Sequence, residues 1–472
     1  MSTVSARILA TLLDGWRDAG TAYAALADRI RLLILDGRVA PGTRLAAERE
    51  LAAQLGVSRT TVTAAYAELR DAGYLSSIRG SGSVAQLPLR SVLAPAQQHS
   101  DYLDFSKATM PAIPGVVAAA QLAAEQLPAY LGESGFDPVG LPALREALAE
   151  RYTRRGLATT GDQIMVTIGA QHAIALIART LLARGDRALV ENPTYPHALD
   201  ALRAAGARVA AVNVSTDDGW DEAALEQAIQ RTSPALGYLM PDYHNPTGRS
   251  MDVGLRERVH ALAARHGTTL VADETMAELG LDGRTNTIPF AAHGSAILVG
   301  SVGKSVWGGV RLGWIRADRS VIQRLVRARA SGDLGTPMLE QLLVLNLLGD
   351  MDAILESRRA YLRAGRDRLE RLLAARLPEW HVPHAQGGLT AWVNLGHPVS
   401  SQLTIAARNE GLIIAAGPRF GVDGAFERFL RIPFSYGEAD TVRAVDALAA
   451  AWAAVGRHPM AESAAELTAS VV

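Results

Sequence analysis

Six short apolar runs constrain this chain more than any other feature in it. QIMVTIG, RALVE, ARVAAVNV, LGYLM, TTLVAD and SAILVGS follow one another between residues 163 and 301, each separated from the next by a helical segment. Short runs rich in Val, Ile and Leu are what strands buried on both faces require. Their alternation with helices predicts an α/β domain on a mostly parallel central sheet with both faces covered. Ligand-binding residues then belong at the carboxyl ends of the strands. After about residue 335 the chain turns mainly helical, and a smaller α+β portion follows near 380–435. With 472 residues, 49% apolar and 20% charged, there is length for two or three folded units and apolar surface for their cores.

Residues 23–75 follow a different pattern. AALADRIRLLILDGRV has apolar residues at helical spacing and stops near Gly37, with Pro41-Gly42 as a turn. AERELAAQLG ends on Gly56, and Ser58 then caps SRTTVTAAYAELRDAG, which ends on Gly73. YLSSIRGSGSVAQL reads as two short strands around the tip Arg79-Gly80-Ser81-Gly82. Helix, tight turn, helix and small hairpin outline a winged helix-turn-helix, mainly α with a small β wing. The expected organisation is a DNA-binding domain over 1–85, a Pro-, Gln- and Ser-rich linker over 86–103, an α/β domain over 104–457 and a weakly ordered tail over 458–472.

A net charge of −1 argues against a chain coated in positive charge for nucleic acid. Residues 1–90, however, hold eleven Arg against eight Asp or Glu, so a small basic module fits inside a neutral whole. Cysteine is absent, which excludes disulfides and thiolate metal sites and is compatible with a reducing cytoplasm. The first twenty residues lack the apolar core of a signal peptide, and no run of about 18 apolar residues marks a membrane span. A cytoplasmic protein without membrane or metal is expected.

Of the 47 basic residues, 45 are Arg, and the two Lys are Lys107 and Lys304. Where Arg replaces Lys wherever charge suffices, a surviving Lys is a candidate for primary-amine chemistry, because guanidinium forms no Schiff base. Lys304 lies where a strand enters the glycine-rich turn of ILVGSVGKSVWGGVRLGW, and Lys107 reads as a surface residue. Ser301, three residues before Lys304, and Arg311, seven after it, offer the hydroxyl and guanidinium that a phosphate needs. Gly169-Ala170-Gln171 opens a helix after a strand, so free backbone N–H groups there suit the same phosphate. Asp273 ends the run TTLVA, where a carboxylate can keep a pyridine nitrogen protonated. Asn245, in PDYHNPTGRS, is free to donate to a ring oxygen, and Tyr195, in NPTYP, is either a stacking ring or a core tyrosine. Arg431, inside the apolar strand FLRIPFSY, takes either a ligand carboxylate or an internal salt bridge.

The HNPTG box, the strand-ending Asp273 and the Ser301–Lys304–Arg311 block, in this order and spacing, resemble fold-type-I aminotransferases over residues 104–455. Residues 23–85 resemble the GntR-type winged helix, and the fusion resembles the MocR/GabR family of transcription regulators. The resemblance implies pyridoxal 5'-phosphate (PLP) joined to Lys304, with Asp273 at the pyridine nitrogen, Asn245 near O3' and Tyr195 over the ring. It gives the phosphate to Ser301, Arg311, Ala170 and Gln171, and an effector carboxylate to Arg431. On the DNA side it implies that Ser58, Arg59, Thr60 and Thr61 start the recognition helix, where side chains reach major-groove edges, with phosphate contact from Arg49 and a wing tip at Arg79 and Gly80. It also implies a head-to-tail homodimer on double-stranded DNA, with an amino compound as effector.

Two positions depart from that family. Thr275 and Met276 stand where a tyrosine is common two or three residues after the aspartate, and Ser134-Gly135-Phe136 replaces a glycine-tyrosine-glycine segment. Cofactor binding kept and turnover weakened is the resulting expectation: a regulator that senses PLP or its amino-compound adduct. The alternatives are a working PLP-dependent aminotransferase with an attached DNA-binding module, and a DNA-binding protein whose large domain only dimerises.

Overall fold

The computed structural model describes residues 3–13, 16, 21–35, 38–40, 42–78, 82–86, 102–283 and 288–456. The chain divides into two compact units, one of residues 1–103, 399–419 and 446–472, the other of 104–398 and 420–445. The anticipated wing tip at Arg79 and Gly80, most of the anticipated linker and the anticipated tail lie outside the described residues.

In the first unit, helix Glu48–Leu55 ends on Gly56, whose φ of 63° is the left-handed conformation that glycine adopts without strain. Helix Arg59–Asp71 begins at Ser58, whose side chain accepts a hydrogen bond from the Thr61 backbone N–H at 3.1 Å. Leu26, Ile30 and Leu33 from helix Ala22–Leu35 meet Leu51, Val62, Ala65, Tyr66 and Leu69 in one core. The spacings of three and four are one face of each helix, and full burial of such side chains contributes roughly 1.5–3 kcal/mol apiece. Strands Leu75–Ile78 and Gly82–Ala85 pair antiparallel, Leu75 opposite Ala85 and Ile78 opposite Gly82. An additional helix, Ala6–Leu12, buries Leu9 against the same core.

The second unit is built on an eight-stranded sheet. Across it run Ile164–Thr167, Gly313–Arg316, Ile297–Ser301, Thr269–Asp273, Leu236–Leu239, Arg187–Asn192, Arg208–Ser215 and Gly219–Trp220. All six apolar runs are in it. Five of them, from Ile297–Ser301 to Arg208–Ser215, form consecutive parallel pairs. The sequence pattern does not reveal Gly313–Arg316, which pairs antiparallel with Ile297–Ser301 on one side and Ile164–Thr167 on the other. Four residues beginning with glycine and lying inside the glycine-rich turn carry too little strand signal on their own. Gly313 is nevertheless required, since a Cβ there would come within 2.7 Å of the Gly169 carbonyl carbon and 2.8 Å of the Gly300 oxygen.

Parallel registry brings the chemistry to one edge. Asp273 lies opposite Val299 in the neighbouring strand, so Asp273 and the Ser301–Lys304 turn leave the sheet together. The smaller portion contributes strands Thr390–Asn394 and Phe429–Pro433, antiparallel, with Trp392 opposite Arg431. Among the described residues no helix is long and apolar enough to cross a membrane.

Candidate functional site

At the carboxyl edge of the sheet lies a cavity of about 420 Å³. Its walls include Lys304, Asp273, Asn245, Tyr195, Ala170, Gln171, Ser301, Arg311 and Arg431, so all nine residues anticipated for the cofactor and effector meet in one place. Their partners explain why each is held there.

The Lys304 amine is half-buried and donates to the Ala108 carbonyl at 2.6 Å. Burial, helped by the charges of Arg431 and Arg311 and opposed by Asp273, pulls its pKa from 10.5 down to about 8. A substantial share is then neutral and nucleophilic near pH 8. Asp273 is buried and accepts three hydrogen bonds: from Tyr238 Oη at 2.8 Å, and from the Thr275 backbone N–H at 3.0 Å and hydroxyl at 2.7 Å. Tyr238 sits on the adjacent parallel strand, opposite Val271. The Thr275 hydroxyl is therefore committed to Asp273, and Met276 is buried, so neither stands in for a phenol.

Helix Ala170–Leu181 starts at Gly169 (φ 84°), and a Cβ on Gly169 would sit 3.2 Å from an Arg311 guanidinium nitrogen. Arg311 itself adopts φ 53° and reaches the Ile168 carbonyl at 3.5 Å. His172 fixes this turn: its Nδ1 accepts from the Ile168 N–H at 3.3 Å and its Nε2 lies 2.7 Å from Asp333. An accepting Nδ1 makes the ring the neutral Nε2–H tautomer, in line with burial lowering its pKa. Ser301 Oγ donates to the Leu312 carbonyl and accepts from the Gly303 N–H, both at 3.0 Å.

Arg431 is buried, lies 4.8 Å from the centroid of the Phe420 ring and donates to the Ser106 carbonyl. Burial lowers its pKa to about 10, which leaves it charged at neutral pH. No acidic partner pairs with it among the described residues, so the internal salt bridge entertained from sequence is not formed. Its Nε, the Asn245 side-chain oxygen and Gln171 Oε1 are buried without a hydrogen-bond partner. Three such orphans on one cavity wall are costly unless a polar ligand completes them. An amine with a lowered pKa, a glycine-flanked helix start beside Arg311, a buried carboxylate and these orphans fit PLP.

Several contributors escape sequence reasoning. Lys107, a surface residue by its local sequence, is 69% exposed and ion-paired with Asp104 at 2.9 Å, yet lines the cavity rim. Arg358, on helix Met351–Arg376, donates to the carbonyls of Ser305 and Val306, both at 2.7 Å, and so clamps the turn that carries Lys304. Buried forks of this kind are one structural use of the Arg excess, since one guanidinium serves several carbonyls where an ammonium cannot hold the same planar array.

Arg49 lies in the first turn of helix Glu48–Leu55, and Ser58, Arg59, Thr60 and Thr61 lie at the start of helix Arg59–Asp71. Arg49, Ser58, Arg59 and Thr60 are exposed and Thr61 is half-buried. Ser58 Oγ lies 2.7 Å from Thr60 Oγ1 and 2.8 Å from Thr61 Oγ1, which ties the hydroxyls to the cap.

Together these features define a fold-type-I aminotransferase domain fused to a helix-turn-helix module. The chain belongs to the class I and II aminotransferase family, whose model matches residues 100–448, and residues 22–84 match the gntR family of bacterial regulatory proteins. A relative from Escherichia coli, the uncharacterized HTH-type transcriptional regulator YdcR, is 29% identical over 87% of this chain and 94% of that protein. The rhizopine catabolism regulatory protein MocR of Rhizobium meliloti, itself described as probable, is 31% identical over 62% of this chain and 64% of its own. Among solved structures, the α-aminoadipate aminotransferase LysN of Thermus thermophilus, complexed with N-(5'-phosphopyridoxyl)-L-leucine, superposes with a TM-score of 0.69 at 27% identity, over 76% of this chain and 93% of that one.

Proposed function

We propose that this protein is a DNA-binding transcription regulator of the MocR type that holds PLP in the aminotransferase-like cavity and answers to PLP or to its adduct with an amino compound. The observation that carries this reading is one chain combining a capped, exposed helix-turn-helix with a cavity whose buried orphan groups call for a charged, polar ligand. Bound PLP supplies an aldehyde that condenses with primary amines and a ring that withdraws electrons. Lys304 presents the amine. Asp273, which accepts from three donors, would meet the ring nitrogen, Asn245 the ring oxygen and Tyr195 the ring face. Ala170 and Gln171 offer backbone N–H groups, with Ser301 and Arg311, to the phosphate. Arg431 takes an effector carboxylate.

On DNA, Ser58, Arg59, Thr60 and Thr61 read the major groove and Arg49 holds a phosphate. The module's slight positive charge implies few phosphate contacts per chain, so two copies on two half-sites are needed. A homodimer, head-to-tail in the family manner, is supported by exposed apolar side chains on adjoining loops of the large unit. Leu131 is 70% exposed, Phe136 68% and Leu334 53%, and a Cβ on Gly335 would lie 2.4 Å from the Asp137 carbonyl oxygen. The regulator works where the DNA is, in the cytoplasm.

Footprinting of the purified protein on the region upstream of its own gene tests the reading. Protection that vanishes in Arg59→Ala, in a sample whose visible absorbance reports lysine-bound PLP, is the expected result. Absence of protection there and at other promoters, together with multiple turnover of an amino acid and a 2-oxo acid, supports instead an active aminotransferase. The complete set of Lys304, Asp273, Asn245 and Arg431 favours that second reading.

A further inference from the structure

We propose that residues 104–109 form a strap that reports ligand binding to the segment leading into the DNA-binding module, because its Ser106 and Ala108 carbonyls hold the two cationic groups that ligands must take. The inference rests on the cofactor reading above and adds how occupancy leaves the cavity.

Four of the five carbonyls from 104 to 108 are engaged, and they divide into two sets. Those of Asp104 and Lys107 lie 2.5 and 2.8 Å from Tyr436 Oη and share its single proton, while the Phe105 ring stacks on Tyr436 at 4.1 Å. Those of Ser106 and Ala108 face the cavity and accept from Arg431 and Lys304. Asp104 Oδ1 accepts from the Ser106 backbone N–H at 3.0 Å, which keeps the two sets in one rigid turn. In sequence the strap is the first part of the large unit.

Each cavity anchor is sensitive to a different chemical event. A carboxylate is a stronger acceptor for guanidinium than a neutral carbonyl, since charge-assisted hydrogen bonds are roughly twice as strong, so one that engages the unpaired Arg431 Nε competes with the Ser106 carbonyl for the same guanidinium. An aldehyde that condenses with the Lys304 amine forms a C=N bond and releases one water. The nitrogen keeps at most one proton and no longer serves Ala108 as a free ammonium does. PLP alone thus loosens one anchor, and a carboxylate ligand loosens the other. The Tyr436 set survives both events and acts as the hinge. A wall that merely happens to touch two cations predicts no such response.

Hydrogen exchange of the full-length protein decides it, read at the amides of 106–110 and compared with strand Phe429–Pro433. Adding PLP to the stripped protein is expected to speed exchange at 106–110 about tenfold, and maleate, a dicarboxylate without an amine, to speed it further, with the strand unchanged. Lys304→Arg keeps a cation but cannot condense, so its exchange must ignore PLP and still answer maleate. Visible absorbance of bound PLP with exchange at 106–110 unchanged or slower overturns the strap and leaves the cofactor reading standing. Without that absorbance in the native protein the cofactor reading falls, and the strap falls with it unless maleate alone speeds exchange.

Discussion

The cofactor cavity and the DNA-reading helix are built from similar residue types held in opposite ways. Around the cavity, Asp273, Arg431 and Arg358 are buried and Lys304 is half-buried, each held by named partners, and burial moves the pKa of both Lys304 and Arg431 down. On the helix-turn-helix, Arg49 and Arg59 stand in solvent. Burying charge is costly, so each cavity residue is tied to a specific chemistry, and replacing one disturbs its neighbours. Exposed charges on a helix cost little. Their worth appears only when DNA phosphates and bases arrive.

That contrast can be broken or sharpened by experiment. The largest expected effect is Lys304→Ala, which abolishes the visible absorbance of lysine-bound PLP while leaving the helix-turn-helix folded; a persistent band on that variant would mean another residue carries the cofactor. Next, Asp273→Asn keeps the shape of the Tyr238 and Thr275 cluster but loses the charge, and PLP affinity by equilibrium dialysis should fall about 30-fold. Arg59→Ala should cost roughly tenfold in DNA affinity with the PLP absorbance unchanged, and a change in absorbance would tie the two regions together at that residue. Because the Lys304 ammonium is lowered to about 8, the neutral fraction, and with it the rate of PLP capture by stopped flow, should rise about fivefold from pH 7 to 8 and about twofold from 8 to 9. A rate still climbing tenfold per unit above pH 9 would indicate an ordinary exposed lysine. The smallest effect is Arg49→Ala, expected to reduce the salt-dependence slope of DNA binding by about 1.

Much of the cavity is legible in the sequence because its residues lie at strand ends or at fixed spacing from Lys304, where local sequence carries the chemistry. What the sequence hides depends on registry and packing. Tyr238, inside LGYLM, looks like any core residue until parallel pairing brings its hydroxyl to Asp273. Arg358, on a helix with charged neighbours, reads as a solvated face until its fork meets Ser305 and Val306. Lys107 reads as surface because nothing local says that its segment returns to the cavity. Helix Ala6–Leu12 escapes notice for a simpler reason: its buried positions, Leu9 and the following Leu13, give only one helical repeat.

The central claim is that occupancy of the cavity alters DNA binding, which requires the ligand to favour one of two arrangements. The direct measurement is fluorescence anisotropy of full-length protein on the fragment upstream of its own gene, PLP-stripped against PLP-loaded, each with and without an amino-acid mixture. Affinities differing by about fivefold or more among these samples are the predicted result. Equal affinities in all four, with PLP absorbance present in the loaded ones, would contradict it.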